Sequence, residues 1–156
     1  MRMQPFFTFY GGKWRAAPFY PSPKYRTVVE PFAGSAGYSL RHVSFDVVLV
    51  ERDPQIAATW RYLLSVKEHE ILSLPDIRND QKVSDLSVCE EARLIIGWWC
   101  NKGAAASMKS PSRWMRDGIR PAQFWGRKIR ERIASQLQEI RHWRLIEGDY
   151  SNAPDV

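Results

Sequence analysis

The stretch Lys24–Asp53, KYRTVVEPFAGSAGYSLRHVSFDVVLVERD, decides how the chain is read. It opens on the β-branched run Thr27-Val28-Val29, passes Glu30-Pro31, and enters the small-residue loop Ala33-Gly34-Ser35-Ala36-Gly37. A helix-compatible run, Tyr38–His42, follows. Val47-Val48-Leu49-Val50 is then a continuous apolar run of the kind buried on both faces of a parallel sheet. It stops at Glu51, 21 positions after Glu30.

A glycine turn after one strand, with an acid about 20 residues on at the tip of the next, is how α/β folds hold an adenosine-type cofactor. The glycines let backbone approach the ligand, and the carboxylate accepts from the ribose hydroxyls. The dinucleotide spacing G-x-G-x-x-G is absent. No pyrophosphate seat is therefore expected at the helix N-terminus, which disfavours a nucleotide-dependent oxidoreductase and favours a nucleoside ligand such as S-adenosylmethionine. The same residues also suit a plain strand–turn–helix unit whose glycines serve the turn alone.

Working outward, Phe6–Tyr25 is aromatic and broken by Pro18, Pro21 and Pro23, which exclude a long helix. It reads either as an arm across the sheet edge or as a cover in which Phe9, Tyr10 and Lys13 close one end of a cofactor pocket. On the other side, Asp53 is an N-cap before Pro54, and Ile56, Ala57, Trp60, Leu63 and Leu64 recur at helical spacing, which predicts a helix over Pro54–Val66. One or two helical turns are expected over Lys67–Leu74, a loop over Asp76–Ser87, and a helix opened by Glu90-Glu91, although LIIGWW also suits a short strand. A basic loop is expected over Met108–Gly118. From Pro121 a last helix should bury Trp125, Ile129, Ile133, Leu137 and Ile140 and leave Arg127, Lys128, Arg130 and Arg132 off that stripe. Trp143–Glu147 reads as a strand that closes on Gly148-Asp149-Tyr150.

Charge divides the 156 residues unevenly. The segment Lys102–Arg144 holds eleven Lys/Arg against three Asp/Glu, whereas the whole chain carries only +6. A basic segment in a near-neutral body points to a phosphate-rich partner. Seven tryptophans in so short a chain require either an aromatic core or rings used for binding. No apolar run reaches the roughly 18 residues of a membrane span, and no signal-peptide segment opens the chain. Cys89 and Cys100 lack zinc spacing, and His42, His69 and His142 share no metal pattern, so no metal site is expected and a reduced, intracellular compartment fits best.

Taken together these motifs resemble the Dam-like DNA adenine-N6 methyltransferases. Phe9-Tyr10-Gly11-Gly12-Lys13 is similar to that family's N-terminal aromatic-x-Gly-Gly-Lys element, and Glu30-Pro31-Phe32-Ala33-Gly34 to its Glu-Pro-Phe-x-Gly loop. Glu51 falls at its ribose-binding acid, and Gly148-Asp149-Tyr150 resembles the strand end beside the cofactor's adenine. The resemblance implies a Rossmann-like α/β domain formed by residues 1–65 and 143–156, C-terminally incomplete, with a helical target-recognition insert over 66–142. It implies S-adenosylmethionine held by Phe9, Tyr10, Lys13, Pro31, Phe32, Ala33, Gly34, Ser35, Gly37, Glu51, Arg52, Asp149 and Tyr150. Double-stranded DNA would lie on Lys102, Lys109, Arg113, Arg116, Arg120, Arg127, Lys128 and Arg130, in the cytoplasm of a bacterial cell or phage-infected host.

Two departures qualify the match. The family loop commonly continues Gly-x-Gly, but here Ala36 stands in the second glycine's place and the glycine is shifted to 37. The family's Asp-Pro-Pro-Tyr does not occur; Asp155 is followed by Val156. That motif accepts the protons of adenine's poorly nucleophilic amine and stacks on the extruded base. No catalytic residue is therefore assigned. The chain reads as an incomplete methyltransferase, either truncated or completed by a second polypeptide, or alternatively as a non-catalytic nucleic-acid-binding module of the same fold.

Overall fold

In the computed structural model, which describes residues 2–155, the apolar runs become a three-stranded parallel sheet in the order β1-β2-β3. The strands are β1 (Thr27–Glu30), β2 (Asp46–Glu51) and β3 (Arg144–Glu147). Val28 pairs with Val47, and Glu51 with Glu147, so all three C-terminal ends meet at one edge. Val47 to Val50 are buried, as a central parallel strand requires. The crossover from β1 to β2 holds only a 3-10 turn, Ser39–Arg41, tighter than the helix expected over Tyr38–His42.

The chain is α/β, with five α-helices among the described residues. Helix α1 (Pro54–Ser65) starts where expected: the Asp53 carboxylate accepts from the amides of Gln55 (2.8 Å) and Ile56 (3.2 Å), with Pro54 in the first turn. Helix α2 (Glu68–Leu72) is a short turn before Pro75. The ambiguous LIIGWW run is helical, within α3 (Glu90–Cys100), and Leu94 to Cys100 are all buried. A strand's two-fold alternation was never needed there, because the helix is enclosed all round.

Two expectations are corrected. The loop over Met108–Gly118 contains a helical turn, α4 (Arg113–Arg116), capped by the Ser112 hydroxyl accepting from the Met115 amide. The last helix does not run unbroken from Pro121. A 3-10 turn over Pro121–Gln123 gives way to extended backbone, and α5 (Arg127–Gln136) begins after Gly126 and tightens into 3-10 over Leu137–Ile140. Trp125 holds the break open: its indole donates to the Pro75 carbonyl at 2.8 Å, which a continuous helix would not require.

One core runs through both the sheet and residues 66–142. Phe6 and Phe7 sit edge-on to Trp60 at 6.0 and 5.6 Å, and Phe7 lies 5.4 Å from Trp98. The N-terminal arm is thus a structural part of the core up to Phe7. It is clamped again at Trp14, whose carbonyl accepts twice from Arg41 (3.1 and 2.7 Å) while the guanidinium lies 3.9 Å over the ring. Gly37 permits this clamp, since a Cβ there would lie 2.4 Å from the Trp14 nitrogen. Backbone would have to move, so Gly37→Ala is expected to cost about 1–3 kcal/mol, measured as a lower urea midpoint; an unchanged midpoint would refute the clamp.

Candidate functional site

The three strand ends, the Pro31–Gly34 turn and the start of α1 enclose an open crevice of about 680 Å³. Eight of the residues expected at a cofactor line it: Phe9, Pro31, Phe32, Gly34, Glu51, Arg52, Asp149 and Tyr150. Asp53, Pro54, Ile56 and Gly148 line it as well. Asp53 and Pro54 were legible only as a helix start and Ile56 as core; their sequence signal is the same whether or not a crevice lies in front of them.

Glu51 organises this crevice. One carboxylate oxygen accepts from the Gly34 amide at 2.8 Å and the other from the Asp53 amide at 2.9 Å. Each oxygen keeps a further lone pair for an outside donor, and the side chain is held in one orientation. The Gly34 carbonyl accepts from the Trp60 indole at 2.6 Å and the Ala33 amide donates to the Val50 carbonyl at 3.1 Å, so the turn is fixed from above and below. Gly34 has φ +50° and Ala36 has φ +53°. Ala36 therefore adopts the left-handed conformation that a glycine takes without strain.

At the far wall the Asp149 carboxylate accepts from the Tyr150 amide at 2.7 Å, and Asn152 returns an acceptor to the Asp149 amide at 3.0 Å. Phe32 and Tyr150 are exposed, 64% and 59%, with ring centroids 5.8 Å apart. They form two aromatic lips over an opening whose floor is a carboxylate.

The remaining expected cofactor residues lie elsewhere. Ala33 and Ser35 are buried beneath the turn, and Gly37 faces the Trp14 backbone. Tyr10 is 79% exposed and donates its amide to the Gly103 carbonyl at 3.2 Å. Lys13 is exposed and lines a separate shallow depression with Tyr20, Pro21, Glu30 and Tyr38. It lines that depression and not the crevice, whose end it was expected to close together with Phe9 and Tyr10.

Of the basic residues, Lys102, Lys109, Arg113, Arg116, Arg120, Arg127 and Lys128 are exposed. Arg127 pairs with Glu131 at 3.3 Å on the same helix. Arg130 corrects the expectation: its side chain is only 11% exposed, pairs with Asp76 at 2.5 Å and lies 5.8 Å over the Trp125 ring. The broken start of α5 turns that residue toward the core. Lys102 and Arg120 converge on a second depression of about 500 Å³, together with Trp114, Ile119 and Phe124. No group of three His, Cys, Asp or Glu residues among the described residues is arranged to hold a metal ion, and no helix is long and apolar enough to cross a membrane. No family model matches the chain, and no curated protein is significantly similar to it.

Glu30, at the tip of β1, is buried, and burial raises its carboxyl above the ordinary 4.5; the Ser39 amide (3.1 Å) and the charge of Lys13 act against that rise. A carboxyl raised on folding is more comfortable protonated, so its favourable share of stability is full below pH 4.5 and is lost as pH rises through the folded value. Glu30→Gln keeps an acceptor for Ser39 and removes the buried charge. Urea unfolding across that window is expected to show the variant losing less stability than the native chain with rising pH; parallel curves would show that the burial cost is not there.

Proposed function

We propose that the chain is the cofactor- and DNA-binding part of a Rossmann-like, S-adenosylmethionine-dependent DNA adenine-N6 methyltransferase. The observation that carries this is Glu51, oriented by two backbone amides at the floor of an open crevice beside a left-handed glycine turn. The crevice volume is in the usual range of ligand sites, roughly 300–1,000 Å³. Glu51 would take the ribose hydroxyls, Phe32 and Tyr150 would give the adenine an aromatic wall, and Asp149 would accept from its amino group. Bound there, S-adenosylmethionine supplies a methyl group activated by its sulfonium.

The transfer itself needs acceptors for the protons of adenine N6, and Asp-Pro-Pro-Tyr is not among these residues. Methyl transfer would need those acceptors as well as this fold; the alternative is a nucleic-acid-binding module of the same fold without turnover. Both readings share the exposed cations of the basic segment as the surface for double-stranded DNA.

Calorimetric titration with S-adenosylmethionine and then NAD separates a nucleoside site from a dinucleotide site. The methyl donor is expected to bind tighter, and tighter NAD binding would overturn the reading. Glu51→Gln keeps one acceptor and loses the charge, so S-adenosylmethionine affinity should fall about 10- to 100-fold, matching a charged hydrogen bond. Duplex binding should be unchanged by that substitution. Arg127→Glu with Lys128→Glu should do the converse, weakening duplex binding and flattening its salt dependence.

A further inference from the structure

Six of the seven tryptophans are accounted for by packing. Trp60, Trp98, Trp99, Trp125 and Trp143 are buried and each donates its indole N–H, and Trp14 is clamped under Arg41. Trp114 is 76% exposed, and Ile119 beside it is 78% exposed. Large apolar side chains left wet together at the edge of a concavity mark a binding surface.

The same depression is also lined by cations, Lys102 and Arg120. Lys102 donates to the Gln123 side chain at 3.1 Å and lies 5.2 Å from the Phe124 ring centre, which holds its ammonium in place. Burial and the neighbouring positive charges of Arg120 and Arg15 push Lys102 below its ordinary value. Asp117 also lines the depression, yet among the described residues neither Lys102 nor Arg120 has a carboxylate partner at ion-pair distance. Like charges gathered without an ion-pair partner are stabilised by an anion, and an exposed indole lining the same depression is satisfied by a flat ring. A nucleotide carries both, and stacking on an aromatic platform with a basic groove is how single strands are held. A paired base hides both of its faces in the duplex, so the ring that reaches Trp114 must be unpaired.

We propose that this depression holds one unpaired nucleotide of a DNA strand, its base on the Trp114 indole and its phosphate on Lys102 and Arg120. The inference rests on the nucleic-acid half of the reading above and is independent of the cofactor crevice. It is tested without S-adenosylmethionine, by fluorescence anisotropy on a fully paired duplex and the same duplex carrying one unpaired thymidine. The native chain should prefer the bulged duplex about tenfold, the scale of one base stacked on an aromatic ring. Trp114→Ala should erase that preference and leave paired-duplex affinity and the circular dichroism spectrum unchanged; Lys102→Gln should weaken the bulged duplex more than the paired one.

Equal binding of both duplexes by the native chain would overturn the proposal while leaving DNA binding intact, as would a preference that survives Trp114→Ala. Failure to bind either duplex would overturn it together with the DNA surface. Cofactor affinity, read separately by calorimetry, would not change in either case.

Discussion

The Glu51 carboxylate, accepting from one amide in the turn after β1 and another before α1, is the tie on which the sheet edge depends. Hydrogen bonds to a charged acceptor contribute about 1.5–3 kcal/mol each and are shorter and more directional than neutral ones. Two of them join the turn after β1, the end of β2 and the start of α1, alongside the Ala33–Val50 and Trp60–Gly34 bonds. The effect extends inward, because the same turn is held from below by the Trp60 indole, and Trp60 is packed by Phe6, Phe7 and Trp143. The shape of the crevice is therefore set by the core and not by a mobile loop. A ligand entering it meets a floor already arranged.

Two glutamates end adjacent parallel strands, and their surroundings give them opposite tasks. Glu30 is buried, with the Ser39 amide and the charge of Lys13 as compensation, and its burial is a cost to the fold at neutral pH. Glu51 is half-buried, both oxygens engaged yet each with a free lone pair toward the opening. In the sequence each is a glutamate after a β-branched or apolar run, and position alone, at the tip of the second strand, singles out Glu51 as the candidate ligand. The turn contact that orients Glu51 and the burial of Glu30 are not legible there.

That limit recurs wherever sequence reading and structure part. Elements governed by local chemistry were legible: β2 from its unbroken apolar run, α1 from Asp53-Pro54, β3 from WRLIE. Eight crevice residues were named through the family resemblance, and all but Phe9 fall at the turn after β1 or at the ends of β2 and β3, which meet at one sheet edge. What was not legible depended on long-range docking. The break before α5 comes from the indole of Trp125 reaching Pro75, 50 residues away. Arg130 was read as solvated because its helical position lies off the apolar stripe, but Asp76 and Trp125 form a pocket for it from outside the helix. Gly37 looked like cofactor-turn chemistry, yet its missing side chain is required by Trp14.

The same distinction bears on how the basic segment relates to the rest of the molecule. Residues 66–142 were set apart by charge and position, yet α3 and α5 bury their apolar faces in the core that also holds Phe6, Phe7 and the sheet. Charge separates the segment and packing joins it. One link lies just after α3, where the Gly103 carbonyl accepts from the Tyr10 amide and the Ala106 amide donates to the Gln55 side chain at 3.2 Å. Phe9, next to Tyr10, lines the crevice, and Lys102, next to Gly103, lines the basic depression. One lining residue of each concavity is thus next to a shared backbone hydrogen bond. A nucleic-acid strand and a nucleoside bound to them would be positioned by the core itself, which a tethered recognition domain on a linker would not achieve.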